Sequence, residues 1–237
     1  MFGVFSAAQK INNPYTKALL HFNGENESVD ITDSSMYHKE ITVNGDAQIS
    51  TVNPKFGSGC GLFNGSNAYL SLLDSDDWAF GALSFTLETW FKLASASFSV
   101  YGICGQKVDS NNWWQLGLRG GSAPDSQNTI DFSEKNAGDY PINIQWSYSS
   151  WDNTTWHHLA LVRNVNSWRA YVDGVGQGSA ITNTTTMQNL AAILTIGRTS
   201  ATASDYYFAG NLDEPRISNG VAVYTGNFTP QTIQFSR

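Results

Sequence analysis

Apolar and polar residues alternate in short runs along this chain, and clusters of Asn, Asp, Gly and Ser interrupt the runs at close intervals. The best-ordered stretch is WHHLALVR at residues 156–163, followed after the polar residues 164–166 by SWRAYVDGV at 167–175. Two runs rich in aromatic and β-branched residues joined in this way predict an antiparallel hairpin, with Asp173-Gly174 as the next turn. Trp156, His158, Ala160 and Val162 share one face of the first run, and His157, Leu159, Leu161 and Arg163 share the other. Neither face is cleanly polar, which places the hairpin in the middle of a two-layer β structure.

The same alternation predicts strands at 18–22, 84–92, 100–106, 113–119, 129–132, 142–148 and 193–197, and a closing segment at 206–218. Residues 40–43 and 48–51 flank Asn44-Gly45, which reads as a second hairpin. Helical signals are confined to single turns near 78–81 and 188–192. The pattern therefore predicts a single all-β sandwich over 17–237, preceded by an arm at 1–16. The sequence leaves open the loop paths that join the strands between Asp109 and Trp151, and an insertion there could be the specificity element.

Composition narrows the function. Aromatic residues make up 13% of the chain and charged residues 14%, against about 25% charged in an average soluble domain. The net charge of -7 argues against a surface for nucleic-acid phosphates. No apolar run is long enough to span a bilayer as a helix. The first residues lack a charged start followed by an apolar core, so they make a poor secretion signal. Phe2, Val4, Phe5 and Ile11 instead suggest an arm that docks on another subunit and supports homo-oligomeric assembly, the alternative being disorder. Cys60 and Cys104 have no zinc-like spacing and read as reduced, buried thiols.

Several stretches, taken in order, resemble the laminin-G-like members of the concanavalin-A-like jelly-roll superfamily. They are ALLHFNG at 18–24, KFG at 55–57, LFNG at 62–65, FTLETW at 85–90, WHHLALVR at 156–163, YVDG at 171–174, LTIG at 194–197 and FAGNLDEPRIS at 208–218. The ending GVAVYTGNFTP at 220–230 is similar to the tails of such domains in bacteriophage virion proteins. The resemblance implies a two-sheet antiparallel jelly roll and a virion protein assembled in the host cytoplasm. It also implies a structural Ca²⁺, with Asp213 at the position of the usual ligand and Asn23 as a second oxygen donor where Asp is commoner.

Candidate chemistry is sparse. Retaining glycoside hydrolysis needs two carboxylates about 5–5.5 Å apart, yet Glu88 stands alone and Asp213-Glu214 are strand neighbours expected to diverge. No catalytic residues are assigned. Glu88 reads as the partner of an arginine such as Arg216 or of a histidine, rather than as a ligand-binding carboxylate, because an unpaired buried carboxylate is costly. His157 and His158, adjacent on a strand, cannot chelate one ion together. Trp113, Trp114, Trp146, Trp151, Tyr206 and Tyr207 lie in or beside polar loops and are the candidates for glycan contact. The expectation is a non-enzymatic structural or adhesive virion domain contacting other virion proteins or host-surface glycans. The alternative is a Ca²⁺-dependent carbohydrate-binding module, and a glycoside hydrolase is disfavoured.

Overall fold

The computed structural model describes residues 13–121, 128–199 and 205–236; Phe2, Val4, Phe5 and Ile11 lie outside them. Two antiparallel sheets, of nine and seven strands, pack face to face. In the first, sheet I, Phe85–Leu93 runs between His157–Asn164 and Ala209–Asn219. Ser167–Val172 and Val175–Gly176 extend it on one side, and Cys60–Asn64 and Gln48–Ser50 on the other. Thr16–Leu19 pairs with Ala209–Asn219, and Ile181–Thr182 pairs with Ser167–Val172. Sheet II runs in the order Asp139–Ser147, Thr129–Asn136, Asn112–Arg119, Val100–Asp109, Leu194–Ile196, Tyr69–Leu72 and Ile41–Asn44.

The predicted central hairpin is present, with Leu159 opposite Val172 and Asn164 opposite Ser167, so Val165 and Asn166 make the turn. Alternate residues of Phe85–Leu93, namely Phe85, Leu87 and Phe91, enter the core between the sheets, where they meet Leu116, Phe132 and Ile144 of sheet II. Phe85 stacks on Phe80 at 4.3 Å and meets Trp168 edge-on at 5.3 Å. Full burial of each such side chain is worth about 1.5–3 kcal/mol, so this shared apolar layer holds the sandwich closed. Cys60 and Cys104 are buried free thiols, and burial pushes each up to about 12.

Two expectations are corrected. Ile41–Asn44 and Gln48–Ser50 do not pair with each other; the first pairs with Tyr69–Leu72 in sheet II and the second with Cys60–Asn64 in sheet I. Asn44-Gly45 therefore begins a corner between the sheets. The local turn signal was sound, but non-local partners took the strand edges. The strands predicted between Asp109 and Trp151 are present and make up most of a four-stranded meander that forms over half of sheet II. Finally, residues 188–192 form no helical turn; Gln188 spends its backbone N–H on Glu134 Oε1 and its side-chain amide on the Lys135 carbonyl.

The apolar residues on the second face of the hairpin find their cover in residues 220–236, which cross the outside of sheet I as a strap. Ala160, Val162 and Tyr171 pack there against Ala222, Tyr224 and Phe228. Tyr224 and Phe228 stack with ring centroids 3.5 Å apart. Gly174 lets the strap approach: its φ is +77°, and a Cβ would sit 1.8 Å from the Phe228 carbonyl oxygen.

Beneath the strap lies a charged cluster. Glu88 Oε1 accepts from Arg216 Nε at 2.8 Å and Nη2 at 2.7 Å, while Oε2 accepts from Tyr224 Oη at 2.8 Å and lies 3.2 Å from His158 Nε2. Burial pushes the Glu88 carboxyl up, but the Arg216 guanidinium, His158 and Tyr224 outweigh it and hold the group below its ordinary range. Glu88 is therefore the structural partner of Arg216.

Candidate functional site

Sheet I is covered on both faces, and sheet II is not. In the meander, Leu116, Leu118, Ile130, Phe132, Ile142, Ile144 and Trp146 point into the core, so the alternate residues of the same strands form the outer face. Strand register then aligns a row across all seven strands: Asn143, Ser133, Gln115, Gly105, Thr195, Ser71 and Thr42. Every member is polar or glycine. The adjacent row holds Gln145, Asp131, Gly117 and Gly102.

This floor is recessed: Gln115, Ser133, Thr195 and Ser71 are each less than a tenth exposed although they face outward. Ser133 Oγ donates to Asn143 Oδ1 at 3.3 Å, Asn44 Nδ2 donates to Ser71 Oγ at 3.0 Å, and Thr195 Oγ1 donates to the Gly105 carbonyl at 3.0 Å. Asp131 is bound by Arg119 Nε and by Thr129 Oγ1, the latter at 2.5 Å. Gln115 Oε1 and Arg198 Nε are buried without a hydrogen-bond partner. An orphan acceptor and an orphan donor on one polar surface are the kind of groups that a hydroxyl-rich ligand satisfies. A cavity of about 160 Å³ lined by Gly105, Lys107, Trp113, Thr195 and Arg198 opens on this surface.

Aromatic side chains bound the floor at both ends. At one, Trp113 meets Tyr140 edge-on at 5.7 Å, and Lys135 lies over the Tyr140 ring. At the other, the short hairpin of Arg198–Thr199 and Tyr206–Tyr207 lies over sheet II, with Tyr207 beside Tyr69 at 6.2 Å and Arg198 over the Tyr69 ring at 3.8 Å. Gly102 admits that hairpin, because a Cβ there would lie 2.4 Å from both Thr199 N and the Tyr206 carbonyl oxygen. Gly102→Val should therefore lift the hairpin at a cost of about 1–3 kcal/mol, seen as a lower melting temperature and shifted Tyr207 ring resonances.

The sequence-based glycan candidates divide. Trp114 and Trp146 belong to the core, their indole N–H groups donating to Gln106 Oε1 and the Ser179 carbonyl. Trp151 is half-buried against Phe98 and Tyr148. These three are corrected to packing residues, because the polar loops beside them do not set which face of a strand is covered. Trp113 sits on the open face but is only 2% exposed, so it backs the cavity rather than offering a platform. Tyr206 and Tyr207 are half-buried in the hairpin at the rim. Missed entirely were Gln115, Ser133, Thr195 and Arg198. Period-two polarity in 112–119, 129–136 and 139–147 is the signal that could have found the first two.

A family model described as Concanavalin A-like lectin/glucanases superfamily matches residues 64–227, more than half of the chain. The chain belongs to this superfamily. The concanavalin A-like fold recurs in solved structures of low identity. Domain 4 of a GH43 extracellular arabinanase from Geobacillus stearothermophilus, in complex with arabinotriose, aligns with TM-score 0.63 and 19% identity over 88% of this chain and 94% of that one. The binding domain of botulinum neurotoxin DC in complex with SialylT gives 0.62 and 16% over 88% and 49%. The same domain in complex with rat synaptotagmin II gives 0.59 and 16% over 89% and 49%. This chain thus spans about half the length of those neurotoxin structures. No curated protein sequence matches it.

In this concanavalin A-like chain the two expected calcium ligands converge on one turn. Asp213 Oδ2 accepts from the backbone N–H groups of Lys55 and Phe56, both at 3.0 Å, and Asn23 Oδ1 accepts from Ser58 N at 2.9 Å. Calcium takes about six to eight oxygens. Of the two residues, only the buried Asp213 Oδ1 remains without a partner, and among the described residues no group of three or more His, Cys, Asp or Glu could hold a metal. These side chains anchor the turn. Burial, reinforced by the charge of Glu214, pushes the Asp213 carboxyl up to about 8 despite the N–H bonds.

The remaining carboxylates and histidines are also engaged. Glu214, at a bulge where its φ is +54°, lies 2.6 Å from His21 Nδ1 through Oε1 and accepts from Phe235 N at 2.8 Å through Oε2. The bulge breaks the simple alternation assumed for Asp213-Glu214. His157 bridges Asp173 at 2.7 Å and Asp152 at 2.8 Å, and its hydrogen bonds to these carboxylates, Asp173 first, raise its pKa. His157 and His158 serve different clusters, as their adjacency on a strand requires.

Proposed function

We propose that the outer face of sheet II is a carbohydrate-binding surface on a non-enzymatic domain. The observation that carries this reading is the polar row from Asn143 to Thr42, recessed between two aromatic ends and holding an unpartnered acceptor on Gln115. Sugars present hydroxyls to such a floor and apolar ring faces to flanking Tyr side chains. Lectin-like folds suit this use, and the arabinanase domain and the neurotoxin domain resembled here were solved with arabinotriose and SialylT. A non-enzymatic role is favoured because Asp131, a carboxylate on the described floor, is held by Arg119 and Thr129, leaving no acid and nucleophile pair beside it.

The test is a glycan array followed by titration calorimetry with the full chain. Gln115→Ala and Tyr207→Ala should each weaken a glycan hit about tenfold or more, a loss of roughly 1.4 kcal/mol, while leaving the melting temperature within a few degrees. Binding should be unchanged by a chelator. No hit on the array, or a hit indifferent to both changes, would discard the reading.

The wider role we infer is display of this surface on a phage virion, assembled in the host cytoplasm, toward host-surface glycans or neighbouring virion proteins. The specific support is the segment 220–230, whose resemblance to virion-protein tails first suggested it and which forms the strap that closes sheet I and leaves sheet II free. Stoichiometric recovery of the chain with purified particles is the expected outcome, and its absence from them would end this part of the proposal.

A further inference from the structure

A second groove lies on the other side of the sandwich, outside sheet I, where the strap ends beside the turn held by Asp213. It is an open groove of about 500 Å³ lined by Lys55, Trp90, Trp156, Asp173, Pro230 and Gln231, a volume within the range of small-ligand sites. Two of its side chains carry unsatisfied polar atoms. Trp90 is 6% exposed, and its indole N–H has no hydrogen-bond partner. Neither the nitrogen nor the oxygen of the Gln231 side-chain amide has one. Buried polar groups are nearly always paired, so several orphans on one groove call for an explanation.

The charges indicate what would pair them. Lys55 Nζ sits 3.8 Å from the centre of the Trp90 ring, and no carboxylate of the described residues lies within 4.0 Å of it. Asp173, the acidic residue of the lining, already accepts from His158 N through Oδ1 and meets His157 through Oδ2. Burial holds the Lys55 ammonium below its ordinary pKa, against the opposing charges of Asp173 and Asp213. The backbone N–H of Lys55 is held by Asp213 Oδ2. Trp156 is half-buried and anchored through its indole N–H to the Asn53 carbonyl at 3.0 Å, which presents an aromatic wall opposite the strap.

We propose that this groove is a separate binding site for a sugar bearing a carboxylate, such as a uronic or sialic acid. The carboxylate would bond the Lys55 ammonium, ring hydroxyls would meet the Gln231 amide and the Trp90 N–H, and the apolar face of the ring would lie against Trp156. The assignment does not rest on the sheet II surface and fails or stands separately from it.

The experiment is a titration of the full chain with N-acetylneuraminic acid, glucuronic acid and methyl glucoside, followed by tryptophan fluorescence and amide NMR shifts. Both acids should bind at millimolar concentration or better and shift the resonances of Lys55, Trp90 and Gln231, and binding should weaken as salt is added. Lys55→Gln should reduce affinity for the acids at least tenfold with an unchanged melting curve. Gln231→Ala should also weaken binding, and Gln115→Ala on sheet II should leave it intact. The proposal is overturned if neither acid binds, if methyl glucoside binds as well as the acids, if binding survives Lys55→Gln, or if Gln115→Ala abolishes it.

Discussion

Glu88→Ala should destabilise the protein by about 3–5 kcal/mol, the usual cost of removing one partner from a buried ion pair. The side chain of Glu88 is fully buried and that of Arg216 is 11% exposed, so the guanidinium left behind would lack both its counter-charge and adequate water. Tyr224 would lose its acceptor at the same moment, loosening the strap over Ala160 and Val162. Denaturant unfolding at neutral pH measures the loss. Replacing both members with apolar residues of similar volume, Glu88→Leu with Arg216→Met, should cost less than Glu88→Ala alone, because no orphan charge remains. A loss below about 1 kcal/mol for Glu88→Ala would place the pair among weak surface contacts and contradict the burial described above.

The second large effect concerns Asp213 and runs in the opposite sense with pH. Its folded-state pKa is raised from 3.8 to about 8, so the folded state holds a proton that the unfolded chain gives up. The contribution is full below the unfolded value and is lost as pH rises through the folded one. A shift of this size is worth several kcal/mol, which predicts a fall in stability between about pH 4 and pH 8. Asp213→Asn keeps an oxygen to accept from Lys55 and Phe56 but cannot ionise. It should match the parent near pH 3.5 and exceed it near pH 9, as read from unfolding midpoints. If Asp213 instead held calcium, the substitution would destabilise at both pH values, and a chelator would lower the melting temperature of the parent alone. Glu88 behaves conversely: its depressed pKa makes its contribution present above the unfolded value and lost on acidification.

The pattern of residues made much of this fold legible. The alternation in Phe85–Leu93 and the hairpin from His157–Asn164 to Ser167–Val172 were readable because both strands carry apolar residues at period two and are neighbours in the chain. Glu88 with Arg216 was readable from the cost of burying charge. Asn44-Gly45 misled because a turn signal is local while strand partners are not; Tyr69–Leu72 and Cys60–Asn64 each took one arm of the supposed hairpin. The exposure of Trp114 and Trp146 was misjudged for a related reason. Which side of a strand faces water depends on what lies across it, and only sheet I receives a strap. The sheet II surface draws its floor from seven strands in register, so no single segment announces it. The groove at Lys55 is still less visible, since it joins two turns, one strand, the residue before another and the strap.

The corner at Asn44-Gly45 also governs how the chain comes together. Ile41–Asn44 enters sheet II, Gln48–Ser50 and Cys60–Asn64 enter sheet I, and Tyr69–Leu72 returns to sheet II. Thr16–Leu19 then waits for Ala209–Asn219, nearly the full length of the chain away. A nascent chain cannot complete sheet II until Leu194–Ile196 has emerged, or sheet I until Ala209–Asn219 has, so loop-closure entropy accumulates before the contacts that repay it. Folding should accordingly be slow and post-translational, with the first third of the chain a poor candidate for an autonomous fragment. Once closed, the interleaving works the other way: neither layer can peel off alone, and unfolding proceeds as one cooperative event.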